Sequence, residues 1–163
     1  MESKNLGHLN LVLNVICLVG IIIVAIFTGI FHESYGGKKQ ISSDKAPGAI
    51  APYSQAMFAG NFLFVSGQIG MNASGFFVNK TVGGQAYQAL KNIEVLLEAA
   101  ELDFSNVVKA TVLLQNIDDF GEVNKVYEAF FPDPKPARAA FAVNALPRHD
   151  ESLVEIEVIA NKG

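Results

Sequence analysis

Cysteine is almost missing from this chain. The one example, Cys17, falls inside an apolar run, so the rest holds no disulfide, no thiolate nucleophile and no cysteine metal ligand. Histidine is nearly as scarce. His8, His32 and His149 are scattered, none with a partner at ligand spacing, which argues against a metal site. Charge is thin and slightly negative, with 12 basic against 16 acidic residues and a net −4, so there is no electrostatic footprint for nucleic acid and none is expected as a partner. Tandem repeats and low-complexity tracts are absent as well.

What is present is a hydrophobic half-share of the composition, much of it concentrated at one end. Leu11 to Phe31 carries no charge, and 21 residues span about 31 Å as a helix, close to a bilayer core. The run exceeds the ~7–15 apolar residues of a cleavable signal peptide. The expectation is a membrane anchor over 11–31. The other readings are a signal peptide cut near Ser34 and Gly36, and an upstream extension outside the working protein. Lys38, Lys39 and Lys45 outnumber Lys4 across the span, which favours a cytosolic domain by the positive-inside rule. Without the segment, the cytoplasm or mitochondrion is expected. Residues 1–36 are thus set apart as hydrophobic segment and linker, and 37–163 as one domain with an adequate core. The sequons at Asn72 and Asn79 matter only in a secretory lumen.

Within the domain, Lys39 to Ser43 reads as a short strand and Ala46 to Gln55 as a proline-bearing loop. Met57–Ala59, a Gly60-Asn61 turn and Phe62–Ser66 predict a hairpin, closed by the polar Ser66-Gly67-Gln68. Ala86, Leu90, Ile93 and Leu97 recur at helical spacing between Gly84 and Glu101. Asn106 to Leu114, rich in β-branched residues, reads as a buried strand. Asp119 with Glu122 three residues on has the form of a capping box, opening a helix with Phe120, Val123, Tyr127 and Phe130 on one face. Asn124 borders that stripe, equally placed to face the strand layer or solvent.

Pro136 to Val143 alternates like a strand. Ala139, Phe141 and Val143 suit a core. The opposite face carries Arg138, Ala140 and Ala142, a guanidinium beside two methyl-sized side chains. A planar guanidinium grips a carboxylate at two points, so this face reads as a socket for a small acid; a plain surface arginine is the alternative. The final strand, Leu153 to Ala160, places Val154, Ile156 and Val158 on one side and Glu155 and Glu157 on the other. The two carboxylates are solvated or salt-bridged in most such strands, but near an arginine socket one would position a water. The order of elements predicts an α+β domain, two helices covering one face of a mixed sheet.

Several ordered blocks carry a family resemblance. Ala49-Ile50-Ala51-Pro52-Tyr53-Ser54-Gln55-Ala56, Val65-Ser66-Gly67-Gln68-Ile69, Asp119-Phe120-Gly121-Glu122-Val123-Asn124, Pro136-Ala137-Arg138 and Val154-Glu155-Ile156-Glu157 together resemble the RidA (YjgF-type) family of reactive-intermediate deaminases, most closely its animal members. The resemblance runs from about Lys39 to Lys162. It implies a chorismate-mutase-like α+β fold, a homotrimer with a central barrel, and active sites in the clefts between subunits. The implied activity is hydrolysis of 2-imino or 2-enamino acids, such as 2-iminobutanoate and 2-iminopropanoate, to the 2-oxo acid and ammonia, without a cofactor or metal.

By matched motif, Arg138 would grip the substrate carboxylate and Glu155 would place or activate the water. Tyr53, Ser66 and Asn124 would line the pocket. The chain departs from the family pattern at Ala140, often a cysteine in bacterial members, at Ala51, Asn144 and in a longer loop after Pro147. These bear on substrate preference. A trimeric ligand-binding or proteostasis role without turnover is a second functional class, and RNA cleavage or translation inhibition a third. The full set of Tyr53, Ser66, Asn124, Arg138 and Glu155 favours turnover.

Overall fold

The computed structural model describes residues 37–148 and 150–163, together with Cys17, Val19 and Gly20. The chain divides into two units, Met1–Gly36 and Gly37–Gly163. In the second, β1 (Lys38–Ile41), β2 (Ala56–Ala59) and β3 (Phe62–Ile69) precede helix α1 (Val82–Ala99). Strand β4 (Val107–Leu114), helix α2 (Phe120–Phe130), β5 (Ala137–Ala142) and β6 (Val154–Asn161) follow, with short 3-10 turns at Phe104–Asn106 and Ile117–Asp119. The six strands lie in the order β1-β2-β3-β6-β4-β5. Every pairing is antiparallel except β4 with β5, so the sheet is mixed, as expected.

The hairpin forms at the expected dipeptide. Ala59 pairs with Phe62, leaving Gly60-Asn61 as a two-residue loop whose Gly60 adopts φ +59°. Positive φ at the first loop position matches the right-handed strand twist and suits glycine. In α1, Ala86, Leu90, Ile93 and Leu97 are all fully buried, so the helical stripe is the core face. Val123 and Tyr127 of α2 join them, and one side of β3, β4 and β6 completes a single core beneath both helices. Burial of each such Leu or Ile is worth roughly 1.5–3 kcal/mol.

Four expectations are corrected. Strand β4 is buried on one face only: Ala110, Val112 and Leu114 are covered, whereas Val108 lies at a register shift and is exposed. On β5 the expected faces are reversed. Arg138 pairs with buried Ala110 and Ala140 with buried Val112, so Arg138, Ala140 and Ala142 share the helix side, where Ala140 packs on the core. Phe141 is on the helix-free side and 48% exposed. The capping box at Asp119 does not form. Asp119 makes no side-chain cap, and Glu122 instead accepts the Gly83 N–H of α1 at 3.1 Å, placing a carboxylate at that helix's positive end. A reciprocal box is made by Asp103 and Asn106 at the first 3-10 turn.

The fourth correction concerns the membrane. The expected span, residues 11–31, lies outside the described residues apart from Cys17, Val19 and Gly20. Among the described residues no helix is long and apolar enough to cross a membrane. The longest of them, α1, is amphipathic, with Lys91, Glu94 and Glu98 off its buried stripe. The expectation of a membrane-anchored chain with a cytosolic domain is withdrawn.

Candidate active site

The candidate residues fall into two recesses. Tyr53, Ser66 and Glu155 line one, with Ile50, Ala51, Gly67, Ile69 and Pro147. Asn124 and Arg138 line the other, with Tyr127, Glu128, Lys135 and Pro136.

The first recess is shaped by an irregularity in β3, which continues to Ile69 rather than closing at Ser66. Val65 pairs with Val158 and Gln68 with Ile156, so one extra residue is accommodated at Ser66-Gly67. A bulge re-aims side chains and is common beside active sites. Ser66 donates its hydroxyl proton to the Ser54 carbonyl at 2.7 Å, while its N–H reaches the Gln55 carbonyl at 3.0 Å. The lone pairs of Ser66 Oγ are therefore left to accept. Gln55 is itself fixed by the Ser43 N–H at 2.8 Å and the Pro47 carbonyl at 2.8 Å, which anchors the loop leading to Tyr53.

Glu155 alternates with buried Val154 and Ile156 and so projects from the helix-free face of β6. Its carboxyl is half-buried and its pKa is raised, first by burial and then by the charge of Glu157 on the same face. The carboxylate lies directly over Gly67: a Cβ built there would sit 1.8 Å from Glu155 Oε1. No spacing in the sequence signals that close approach; Ser66-Gly67-Gln68 reads there as a polar strand end and as part of a family block. Because the obstructing atom is the end of a flexible side chain, Gly67→Ala should leave the fold intact and push the carboxylate aside. The expected result is a fall of about tenfold or more in kcat, since misplacement by ~1 Å is costly, with a melting temperature near the parent's. Parallel kinetics and melting curves check it.

Arg138 occupies the other recess. Its guanidinium carbon lies 4.7 Å from the Tyr127 ring centre and 5.3 Å from that of Phe120. Among the described residues it makes no salt bridge or hydrogen bond, so its planar set of N–H donors points to no protein acceptor. Asn124, half-buried on α2, brings an amide to the same recess. Burial pushes the Tyr127 hydroxyl up to about 12, despite the opposing influence of Arg138.

The two halves do not meet within one chain. Arg138 stands on the helix side of the sheet, and Glu155 pairs with Leu113, which pairs with Phe141 on the opposite side. A guanidinium without a protein acceptor among the described residues and a half-buried carboxyl with a raised pKa thus stand on opposite sides of one sheet.

This α+β domain belongs to the family described as Endoribonuclease L-PSP, whose pattern matches residues 43–162. The chain is 50% identical over 127 residues to the 2-iminobutanoate/2-iminopropanoate deaminase of Homo sapiens, covering 77% of this chain and 91% of that one. It is 53% identical to the Bos taurus protein of the same name over the same shares. The crystal structure of RidA from an Antarctic Psychrobacter superposes with a TM-score of 0.71 at 40% identity, covering 76% of this chain and 98% of that one.

Proposed function

We propose that residues 37–163 form a hydrolytic deaminase of 2-imino acids, including those that arise by tautomerisation of 2-enamino acids. The identity of about half of the residues to relatives named 2-iminobutanoate/2-iminopropanoate deaminase supports this, and so does a free guanidinium beside an amide. Arg138 holds the substrate carboxylate through two parallel N–H bonds, which fixes the adjacent C=N carbon. Glu155 positions a water against that carbon. Addition of water gives a carbinolamine, proton transfer to nitrogen makes it a leaving group, and ammonia departs to leave the 2-oxo acid. Burial raises the pKa of this carboxyl, so it holds a proton more tightly than an exposed carboxyl and is suited to passing it. Ser66 accepts from the substrate or water, and Tyr53 and Asn124 complete the walls. The word endoribonuclease in the family's description finds no support in the charge of −4.

The observation that carries a site shared between copies is the placement of Arg138 and Glu155 on opposite sides of one sheet. A working site then joins Arg138 of one copy to Glu155 of another, and a closed ring of three copies forms three such sites. The helix-free face supports assembly: Phe62, Phe64 and Phe141 expose 44%, 46% and 48% of their surface on it. Burying these rings against another copy would remove apolar surface from water.

The test is complementation. Purified Arg138→Ala and Glu155→Gln proteins should each be nearly inactive on freshly generated 2-iminobutanoate. Subunits mixed by co-expression should regain activity, because any mixed ring of three contains one junction with both native groups. Mass measurement of the full chain should give a trimer. Mixed assemblies as inactive as the two variants would overturn the shared-site reading, and an inactive parent the deaminase reading.

A further inference from the structure

The recess around Arg138 sets two aromatic rings against its guanidinium. Phe120 and Tyr127 lie seven residues apart on α2, two turns along one face with about 10.5 Å of rise between them. A guanidinium 5.3 Å from one ring centre and 4.7 Å from the other occupies the gap between them. The back of the Tyr127 ring is held in turn. Phe131 stacks on it at 4.0 Å with planes 17° apart, and Phe104 meets Phe131 edge-on at 4.7 Å. The outer ring, Phe120, is 38% exposed.

We propose that Phe120 and Tyr127 are positioning residues for the carboxylate clamp: their ring faces hold the Arg138 guanidinium in place before substrate arrives. Ring faces attract a cation yet offer no hydrogen-bond acceptor in their plane. They restrain the guanidinium without occupying the donors that the substrate carboxylate needs. A carboxylate partner would also hold Arg138 in place, but it would compete with substrate for those same N–H groups. The Tyr127 hydroxyl is buried without a hydrogen-bond partner. The ring, not the oxygen, is therefore the part that acts.

This inference rests on the reading of Arg138 as a carboxylate clamp, so the experiment measures binding and turnover separately. Affinity for 2-oxobutanoate is read by titration, and kcat and KM on 2-iminobutanoate, for the parent, Phe120→Leu, Tyr127→Leu and Tyr127→Phe. Phe120→Leu should raise both the Kd for 2-oxobutanoate and KM by about twofold to fivefold, with kcat little changed. Tyr127→Leu should raise them by about tenfold or more, and Tyr127→Phe should recover most of that loss. A purely structural role would instead lower the active fraction and kcat at constant KM. If Tyr127→Leu fails to fold, Phe120→Leu decides, since its side chain is partly exposed. Parental Kd and KM in Phe120→Leu, or Tyr127→Phe as impaired as Tyr127→Leu, would overturn the proposal. A parent that binds 2-oxobutanoate but does not deaminate removes the deaminase reading and leaves the clamp judged on Kd alone. A parent that binds none removes the clamp itself.

Discussion

Arg138→Lys should lose at least about tenfold to a hundredfold in kcat/KM although the charge is kept. The guanidinium presents two parallel donors to a carboxylate, and an ammonium presents one compact group that cannot hold both oxygens in a plane. Loss of one charge-assisted hydrogen bond is worth roughly 1.5–3 kcal/mol, and each 1.4 kcal/mol is about tenfold in rate. A lysine also stacks less well between the Phe120 and Tyr127 rings, so the remaining charge is held less firmly. Arg138→Ala should be worse. Neither change should unfold the domain, because Arg138 is exposed on the edge strand β5 and makes no salt bridge among the described residues. Melting curves beside kinetics separate the two effects. A Lys variant with parental melting and near-parental deamination would show that Arg138 is not the clamp.

The elements visible in the sequence were those whose pattern reports a single partner. The stripe through Ala86, Leu90, Ile93 and Leu97 has one apolar side, and the alternation around Glu155 and Glu157 has one polar side, so each declared its buried face. Strand β5 did not, because both of its sides carry alanine and a larger group. Its orientation is decided by pairing with β4, where Arg138 falls opposite Ala110. Phe141 looked like core because it is apolar, yet it lies on the face that a further copy would cover. By sequence spacing the Glu122 carboxylate belongs to its own helix, but the N–H it accepts is that of Gly83, 39 residues away.

The candidate site residues are legible in the sequence as types and motifs, and their separation is not. Nothing in the spacing of Arg138 and Glu155 says that a sheet lies between them; that follows from two registers, β4 with β5 and β4 with β6. The bulge at Ser66-Gly67 was equally hidden, because an extra residue exists only relative to the partner strand. Helical spacing puts Phe120 and Tyr127 on one face of α2. Their seven-residue spacing was the available signal that two ring faces would flank a single group.

Glu155→Gln should cost about a hundredfold to ten-thousandfold in kcat with a smaller change in KM, the reverse of the pattern expected at the rings around Arg138. Gln keeps the size and one acceptor but cannot take up or release the proton that the water and the departing nitrogen require. The same group should leave two pH signatures. Its pKa is raised in the folded chain, by burial first and by Glu157 second, so the folded state holds this proton more tightly than the unfolded state. Stability contributed by that difference is complete below the ordinary carboxyl value of about 4.3 and is lost as pH rises through the raised folded value. Glu155→Gln removes the loss, so it should melt above the parent at neutral pH and close to it below that window. Glu157→Gln should act in the opposite sense on the proton itself. With one negative charge fewer on the β6 face, the Glu155 carboxylate forms more easily, and its limb in the pH profile of kcat/KM should move to lower pH. A profile unmoved by Glu157→Gln, together with a Glu155→Gln variant that retains parental kcat, would place the proton transfer on another group.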